Sequence, residues 1–367
     1  MAKLGDYVKI RTGKLDANAS SESGQYPFFT CAIEPLKIDS YSYDCECVLV
    51  AGNGDLNVKY YSGKFDAYQR TYIIESMDKT FLDVQYLYFF MDKYLETLRS
   101  QSIGGVIKYI KLGNLTEADI FIPSIERQRE IVRILRKSRE LVSLRKQQIA
   151  KLDELVKARF VEMFGDVLLN SMQWPEKTLE RMADIVSGIT KGRKTAETDL
   201  QEVPYMAVSN VKDGYIDWTT VKTILATRQE IEQYRLMPDD ILMTEGGDPD
   251  KVGRGAIIRV PLKNSIHQNH IFRVRLDESH ILPDYFAEYL KHQRAKRYFL
   301  GCAKQTTGIA SINMKQLKAL PVLLPPLELQ NEFSAFIRQI DKSKVDVQKA
   351  LDEAQMLFDS LMQKYFG

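Results

Sequence analysis

The sequence predicts an α+β fold, made of two tandem-duplicated mixed α/β domains joined by two long helices that form an antiparallel coiled coil. Three observations support this prediction. The chain has 367 residues, whereas one ordinary domain has about 100 to 200. Motifs of the first half return in the second half at an offset of 202 residues. Each copy ends in a long segment without glycine or proline.

The repeat is clearest where each globular part ends. The segment from Ile122 to Ile131 resembles the segment from Leu324 to Phe333, and the match continues without a gap to Phe164-Gly165 and Phe366-Gly367. Upstream the offset drifts, as loops of unequal length would cause. The period is too long for a solenoid, so the sequence predicts one globular unit used twice. The expected boundaries are a domain at 1–125, a helix at 126–165, a domain at 166–327 and a helix at 328–367.

Each globular part contains short strand-like runs and one predicted helix. The helices are expected from Leu82 to Arg99 and from Pro283 to Leu300. Runs rich in β-branched residues between glycine or polar turns are typical of strands. These runs are Cys47–Val50, Tyr72–Ile74, Asp240–Met243, Ala256–Val260 and Ile271–Arg275.

The two long helices show a heptad pattern. Apolar residues alternate at spacings of three and four from Ile131 to Met163 and from Phe333 to Tyr365, which is typical of a coiled-coil seam. Gly165 and Gly367 stand where a helix C-cap is expected. The net charge is +5 for 126–165 and −2 for 328–367, which favours pairing between the two helices. The alternative is that each amphipathic helix packs only on its own domain.

Composition excludes several classes of protein. The longest apolar runs are too short to span a bilayer, and the first residues lack an apolar signal region. Four cysteines do not make a disulfide framework, so we expect free thiols and a cytoplasmic location. The net charge is −3 for 1–125 and +2 for 166–327, so any DNA-binding surface must be local.

A search for catalytic motifs finds little. The sequence lacks a P-loop, and Gly253-Arg254-Gly255 precedes a strand-like run where a dinucleotide fold needs a helix. Amino-methyltransferase and nuclease carboxylate motifs are also missing from the sequence. His267 and His270 resemble a metal pair, but they lead into a strand, whose alternate residues face opposite sides. We therefore predict a non-catalytic chain whose chemistry is binding.

Both halves carry loop residues that suit base edges or phosphates. Arginine suits guanine, asparagine and glutamine suit adenine, and lysine neutralises phosphate. The alternative for each position is an ordinary solvated side chain; only the recurrence of such residues in both halves favours binding. The candidates are Lys14, Asn18, Asn53, Asn57, Lys59, Tyr60, Gln69, Arg70, Lys108, Tyr109, Lys191, Arg193, Lys194, Asn210, Lys251, Arg254, His267, Gln268, Asn269, Gln305 and Thr306.

The order of these motifs resembles a known family. A domain that opens with Ile10…Gly13 or Ile185…Gly188, closes with Pro-x-x-Glu-x-Gln at Pro123 or Pro325, and continues into a long helix ending in Phe-Gly is similar to the target-recognition domains of type I restriction–modification specificity subunits. The resemblance covers the whole chain. The first half departs from the second in one respect: the turn at Ala51–Asp55 is not followed by an arginine like Arg254.

The resemblance implies that each domain reads one half of a split, asymmetric site in double-stranded DNA. It implies that the helices act as a spacer and dock two methyltransferase subunits, which restriction (motor and nuclease) subunits then join. S-adenosylmethionine, ATP and Mg²⁺ would belong to those partners, so no cofactor or metal is expected on this chain, and no membrane partner either. Two similar domains in pseudo-twofold relation predict half-sites roughly 10 bp apart.

Two other classes of function compete with this one. A coiled-coil scaffold whose globular ends bind proteins predicts no salt-dependent binding to duplex DNA. A stand-alone metal hydrolase using His267 and His270 predicts bound zinc and activity of the isolated chain. A close variant of the main interpretation is the specificity subunit of a fused, type IIB-like or methylation-based phage-defence system.

Overall fold

The computed structural model describes residues 2–193, 198–306 and 308–367, apart from the side chains of Asp250 and Thr306. The chain divides into two compact units. Unit 1 comprises residues 1–148 and 347–367, and unit 2 comprises residues 149–346. Each unit therefore contains one globular domain together with part of both long helices.

Unit 1 is built on a mixed six-stranded sheet. Its strands are β1 Ala2–Lys3, β2 Val8–Thr12, β3 Tyr26–Phe29, β4 Leu36–Ile38, β5 Tyr43–Ala51, β6 Val58–Ala67, β7 Thr71–Ser76 and β8 Asp119–Ile120. The strand order is β2-β7-β5-β6-β3-β4, and β1 pairs separately with β8. The pair β3 and β6 is parallel, and the other neighbours in the sheet are antiparallel. Its helices are α1 Val84–Gln101, α2 Leu112–Thr116, the first part of α3 Ile125–Phe164 and the last part of the C-terminal helix Leu327–Phe366.

Unit 2 repeats this plan with smaller sheets. Its strands are β9 Glu176–Thr178, β10 Ala183–Ser187, β11 Leu200–Met206, β12 Lys222–Thr227, β13 Ile241–Thr244, β14 Gly246–Gly247, β15 Gly255–Ile257, β16 Ile266–His267, β17 Ile271–Leu276, β18 Lys304–Thr306, β19 Ile309–Ser311 and β20 Pro321–Leu323. The order β10-β17-β13-β15 corresponds to β2-β7-β5-β6 of unit 1. Its helices are the last part of α3, α4 Arg228–Tyr234, α5 Pro283–Lys291, α6 Gln293–Cys302, α7 Met314–Lys318 and the first part of α8 Leu327–Phe366.

The predicted fold class is confirmed, including the antiparallel helix pair. Within unit 1 the Arg127 guanidinium lies 5.8 Å from the centre of the Tyr365 ring, and Arg139 lies 5.0 Å from Phe358. Residue numbers rise along α3 while they fall along α8, so the helices run in opposite directions. Within unit 2 the Asp153 carboxylate of α3 accepts a hydrogen bond from Lys344 of α8 at 2.6 Å, and this pair fits the same antiparallel order. Gly165 has a positive φ of 73° directly after α3, as a helix C-cap requires.

One predicted helix is wrong in detail. We expected a single helix from Pro283 to Leu300, but α5 and α6 are separated by His292, whose backbone is extended at φ −83° and ψ 158°. The His292 ring stacks on Phe160 of α3, with 4.4 Å between ring centres. The stacking of His292 on Phe160, far away in the sequence, thus accompanies the break between α5 and α6. The residues around His292 do not signal this break. The strand expected at Ala256–Val260 is also shorter, because β15 ends at Ile257.

The domains are fixed to the long helices by a repeated hydrogen-bond motif. Gln128 is fully buried; its Oε1 accepts from Asp83 N at 2.9 Å, and its Nε2 donates to the carbonyls of Phe81 and Pro123 at 2.8 Å each. Asp83 in turn caps α1. This contact gives the glutamine of the Pro-x-x-Glu-x-Gln motif a structural role.

The same motif recurs in unit 2. Gln330 is fully buried; its Oε1 accepts from Leu282 N at 2.8 Å, and its Nε2 donates to the carbonyls of Pro325 at 2.9 Å and His280 at 3.3 Å. The duplicated sequence therefore encodes a duplicated junction between domain and helix. Among the described residues, no helix has the length and apolar content needed to cross a membrane.

Candidate nucleic-acid interface

In unit 1 a glycine turn after β5 brings several predicted residues together. Gly54 N donates to the Lys108 carbonyl at 2.9 Å, and Gly52 N donates to the Arg70 carbonyl at 2.7 Å. A Cβ on Gly52 would stand 2.4 Å from that Arg70 oxygen, so the close approach requires glycine. Asn53 forms an antiparallel bridge with Tyr109. The side chains of Arg70, Lys108 and Tyr109 are exposed and that of Asn53 is half-buried, so the segments that meet at this turn carry two exposed cations and an exposed phenol.

A second segment of unit 1 lies beside this turn. Gln69 N donates to the Leu15 carbonyl at 2.9 Å, and its Nε2 donates to Asp16 at 2.7 Å. These bonds place the exposed residues Lys14 and Asn18 in the loop next to Gln69 and Arg70. The exposed polar surface of unit 1 therefore continues from the glycine turn into the loop that follows β2.

Three other predicted residues of unit 1 are engaged within the protein. Asn57 Nδ2 donates to the Cys31 carbonyl at 2.8 Å, and Lys59 donates to the Asn57 side chain. Burial lowers the pKa of Lys59. The Tyr60 hydroxyl donates to Glu46 at 2.8 Å, and its ring lines a cleft beside α1 and α3.

Unit 2 builds the equivalent turn from Thr244 to Asp248. Here β14 pairs with β19 of the β18–β19 hairpin, Gly246 opposite Ser311, and Thr244 N donates to the Arg254 carbonyl at 3.1 Å. Gly253 has a φ of +72°, and a Cβ there would stand 2.2 Å from the Phe299 ring. The backbone therefore requires glycine immediately before Arg254.

Arg254, which directly follows Gly253, is one of the predicted base readers of unit 2. Its side chain is half-buried, and its Nε is buried without a hydrogen-bond partner. Among the residues that the structure describes, Arg254 forms no ion pair. Lys251 pairs with Asp248 and, with a smaller contribution from Arg254, lowers the pKa of that carboxyl. Gln305 is exposed on the neighbouring hairpin and donates to the Leu300 carbonyl at 3.2 Å.

A second loop of unit 2 matches the segment after β2 in unit 1. Gln268 Oε1 accepts from Val208 N at 3.3 Å, and Asn269 N donates to the Ile189 carbonyl at 3.1 Å. Lys191 is exposed two residues further along from Ile189. A Cβ on Gly188 would stand 1.9 Å from the His267 carbonyl oxygen, which explains the glycine that follows Ile185 in the opening motif.

Three predicted residues of unit 2 instead support the fold. His267 is fully buried with its Nδ1 3.2 Å from the Ile271 carbonyl, and burial lowers its pKa to about 4. Asn210 is fully buried and bonds Ala207 N and the Asp217 carbonyl, each at 2.9 Å. Arg193 forms a two-point ion pair with Glu230, which lowers the pKa of that carboxyl. We leave these three side chains out of the proposed surface. Lys194 lies outside the described residues, as does the side chain of Thr306.

The suspected histidine pair does not converge on one point. His267 is buried, whereas His270 is exposed with its Nδ1 2.6 Å from Glu245. Within residues 2–193, 198–306 and 308–367, no three His, Cys, Asp or Glu side chains are grouped so that they could hold a metal ion. The geometry therefore gives the metal-hydrolase alternative no support.

The sequence search missed one loop near Arg254. Gly214 N donates to the Gly255 carbonyl at 3.1 Å, which brings the loop around Gly214 beside this strand. Tyr215 and Trp218 on that loop are 61% and 40% exposed, and aromatic rings of this kind suit contact with nucleotides. The turn sequence Asp213-Gly214 was a signal that could have located the loop.

Comparison with known proteins agrees with this architecture. The family model for the Type I restriction modification DNA specificity domain matches residues 1–154 and again residues 172–354. The EcoDI type I restriction enzyme specificity subunit of Escherichia coli is 26% identical over 99% of this chain and 87% of that protein. The EcoKI specificity subunit of E. coli K12 is 24% identical over 74% of this chain and 62% of that protein.

A solved structure shows the same fold. The S subunit of a type I restriction–modification system from M. genitalium aligns with a TM-score of 0.64 at 17% identity, covering 100% of this chain and 95% of that chain.

Proposed function

Because this chain belongs to the family of type I restriction–modification DNA specificity domains and carries two copies, we propose that it is the DNA-recognition subunit of such a complex. Each globular domain reads one half of a bipartite, asymmetric site in double-stranded DNA. The long helices set the gap between the half-sites and dock the partner subunits.

The observation that carries the proposal is the duplicated turn with different side chains. Both units place a glycine turn against a returning loop, as shown by the bonds from Gly54 to Lys108 and between β14 and β19. Unit 1 presents Arg70 and Lys108 there, whereas unit 2 presents Arg254. Equivalent scaffolds with different polar groups suit the reading of two different base sequences, because base edges differ in their donors and acceptors.

We assign methyl transfer and DNA cleavage to partner subunits. The relatives are named specificity subunits, which supports a recognition role. On this proposal two methyltransferase subunits and the restriction subunits bind S-adenosylmethionine, ATP and Mg²⁺, and this chain contributes no cofactor site. We place the complex in the cytoplasm, because the four cysteines of this chain suit a reducing compartment.

The test is a map of DNA methylation. The chain is expressed with a methyltransferase subunit of its own system in a host without modification, and methylated adenines are located by long-read sequencing. A split motif that depends on this chain is the expected result. A soluble complex that produces no motif would favour the scaffold alternative.

A variant of Arg254 separates the two domains. We expect Arg254→Ala to relax one half of the motif only, because a bidentate arginine–guanine contact contributes about 1–3 kcal/mol of discrimination. Arg181→Ala is the matched control, since Arg181 is exposed at the opposite end of the β10–β17 pair from the glycine turn. Equal relaxation of both halves by Arg254→Ala would contradict a two-domain reader.

A further inference from the structure

One loop of unit 1 exposes aliphatic side chains next to the glycine turn that follows β5. Its Val106 is 104% exposed, and Ile107 and Ile103 are 62% and 44% exposed. A single exposed aliphatic side chain is ordinary on a protein surface. Here three of them belong to one short loop, residues 103–109, and we call these three side chains the apolar tip. A group of exposed apolar side chains marks a place of contact with another molecule.

Backbone hydrogen bonds hold this loop in shape. Ile103 N donates to the Tyr109 carbonyl at 3.0 Å, and Tyr109 N donates to the Ile103 carbonyl at 2.8 Å, so the loop is closed at its base. Within it Gly104 has a φ of +118°, and a Cβ there would stand 2.5 Å from the Ile107 carbonyl oxygen. The loop therefore requires glycine at this position, and the apolar tip is carried by a defined backbone.

The loop is bonded directly to the candidate DNA surface of unit 1. Ile110 N donates to the Gly52 carbonyl at 2.9 Å, and Gly54 N donates to the Lys108 carbonyl at 2.9 Å. Lys108 is exposed within the loop itself, and the exposed Arg70 belongs to the segment whose carbonyl accepts from Gly52 N. Cations suited to phosphate thus accompany the apolar tip. This combination fits a partner that carries phosphates and apolar groups together.

The duplication supplies an internal comparison. In unit 2, Ile312 N donates to the Glu245 carbonyl at 2.8 Å, as Ile110 N donates to that of Gly52 in unit 1. Ile110 and Ile312 are 202 residues apart, which is the offset of the repeat. The hairpin of β18 and β19 therefore has in unit 2 the place that loop 103–109 has in unit 1.

The two equivalent loops present different side chains. Gln305 stands where unit 1 has Ile103, and Gly308 stands where unit 1 has Val106. The third aliphatic position is kept as Ile309, which is 56% exposed. Unit 1 thus offers aliphatic surface where unit 2 offers an amide and a glycine. Such a difference is expected if the two loops contact different bases.

Duplex DNA offers few apolar groups to a protein. In the major groove the base edges present hydrogen-bond donors and acceptors, and thymine adds its C5 methyl group. The other apolar surface of DNA is the face of each base, which a side chain reaches only by forcing stacked bases apart. A methyl contact needs no such deformation. An aliphatic side chain at a DNA surface therefore favours thymine.

We propose that the apolar tip reads thymine in the half-site of unit 1. Val106 and Ile107 contact C5 methyl groups in the major groove, while Lys108 neutralises a nearby phosphate. The inference rests on the proposed function and adds to it the kind of base that one domain selects. DNA is favoured over a protein partner because the loop is bonded to the same glycine turn that carries the other candidate base readers.

The experiment uses the full chain in complex with the methyltransferase subunit of its own system. Once the methylation map has given the motif, duplexes are made in which deoxyuridine replaces each thymine in turn, on either strand. This replacement removes the methyl group alone. Affinity is measured by fluorescence anisotropy for the wild type, the double variant Val106→Ser/Ile107→Ser and Ile309→Ser. The last is the matched control, because Ile309 is the exposed counterpart of Ile107 in unit 2.

The expected result is a coupling between the loop and one half of the motif. Removing a contacted methyl group should weaken wild-type binding about three- to fivefold. The double variant should lose this sensitivity at that thymine, whereas Ile309→Ser should keep it, because a direct contact makes the two changes non-additive. Equal sensitivity in the wild type and the double variant, or no sensitivity of the wild type at any thymine, would overturn the proposal.

Two further measurements separate other roles of the apolar tip. If 2-aminopurine fluorescence in the duplex rises with the wild type and not with the double variant, while no methyl group matters, the tip inserts between bases and the proposal fails. If the double variant unfolds at the wild-type temperature but no longer binds the methyltransferase subunit, the tip serves a protein contact and the proposal also fails. Val106→Ser alone replaces the double variant if that variant does not fold.

Failure of this inference is distinguishable from failure of the proposed function. A wild-type complex that methylates no split motif counts against the proposed function itself. A split motif whose thymines show no coupling to Val106 and Ile107 refutes the thymine contact and leaves the proposed function standing.

Discussion

Replacing Gln128 tests whether the buried glutamine joins the first domain to α3. Its side chain satisfies three backbone groups, Asp83 N and the carbonyls of Phe81 and Pro123. Gln128→Ala leaves all three without this partner. An unsatisfied buried polar group costs about 1–3 kcal/mol, and water can enter the space left by the side chain. We therefore expect a loss of about 3 kcal/mol in the free energy of local opening of unit 1.

The assay is amide hydrogen exchange followed by mass spectrometry, which reports each unit separately. The amide of Asp83 is itself a donor to Gln128, so peptides covering residues 82–101 should lose protection in Gln128→Ala. Peptides covering α5 should not change. Gln330→Ala should give the mirror result, with a smaller loss because one of its bonds is long, at 3.3 Å.

Gln147→Ala is the control for glutamine removal as such. Gln147 is exposed on the same helix, and its one side-chain bond among the described residues goes to Ser143 at 3.4 Å, so its removal should cost less than about 0.5 kcal/mol. If the amides of α1 exchange as slowly in Gln128→Ala as they do in Gln147→Ala, the buried glutamine is not what holds the domain to the helix.

Two further predictions concern His267 and its neighbour. Burial lowers the pKa of His267 from 6.5 to about 4, so between these values the unfolded state binds a proton that the folded state does not. The free energy of unfolding of unit 2 should therefore fall by about 2–3 kcal/mol as the pH drops from about 6.5 toward 4. Urea titrations at several pH values should show that His267→Gln loses this dependence. If the variant keeps the same dependence of unfolding free energy on pH, His267 is not a neutral buried imidazole. Gly188→Ala should unfold or strongly destabilise unit 2, since the new Cβ would overlap the His267 carbonyl oxygen at 1.9 Å. A melting temperature within about 2 °C of wild type would show that the backbones can separate there.

The repeat and the heptads determined much of the architecture. The matched segments at Pro123 and Pro325 predict a duplicated domain, and the apolar spacing predicts α3 and α8 as paired helices. Both features can be read from the sequence itself, because each depends on the order and spacing of residues along the chain. The sequence also matches Gly13 with Gly188, and the structure explains both glycines, because a Cβ would stand 2.1 Å from the Ala67 carbonyl oxygen at Gly13 and 1.9 Å from that of His267 at Gly188.

The candidate surface was only partly predictable. The sequence identified Arg70, Lys108 and Arg254 as residues able to contact DNA, and the structure leaves these side chains accessible at least in part. It could not separate them from Arg193, because the partner of Arg193 is Glu230, which lies far along the chain. His267 is buried where β16 pairs with β11, opposite Met206, which also lies far along the chain. Asn210 is held by bonds to Ala207 and Asp217 in its own loop.

What the sequence by itself determined is the number of domains, the helical connections and the kinds of residue that the loops offer. What only the tertiary structure decided is which of those residues are free to bind and why Gln128 and Gln330 are part of the repeat. The physical reason is that helix and strand patterns arise from neighbours within a few residues. Burial, ion pairing and the shape of a cleft arise from contacts between residues that only the folded chain brings together.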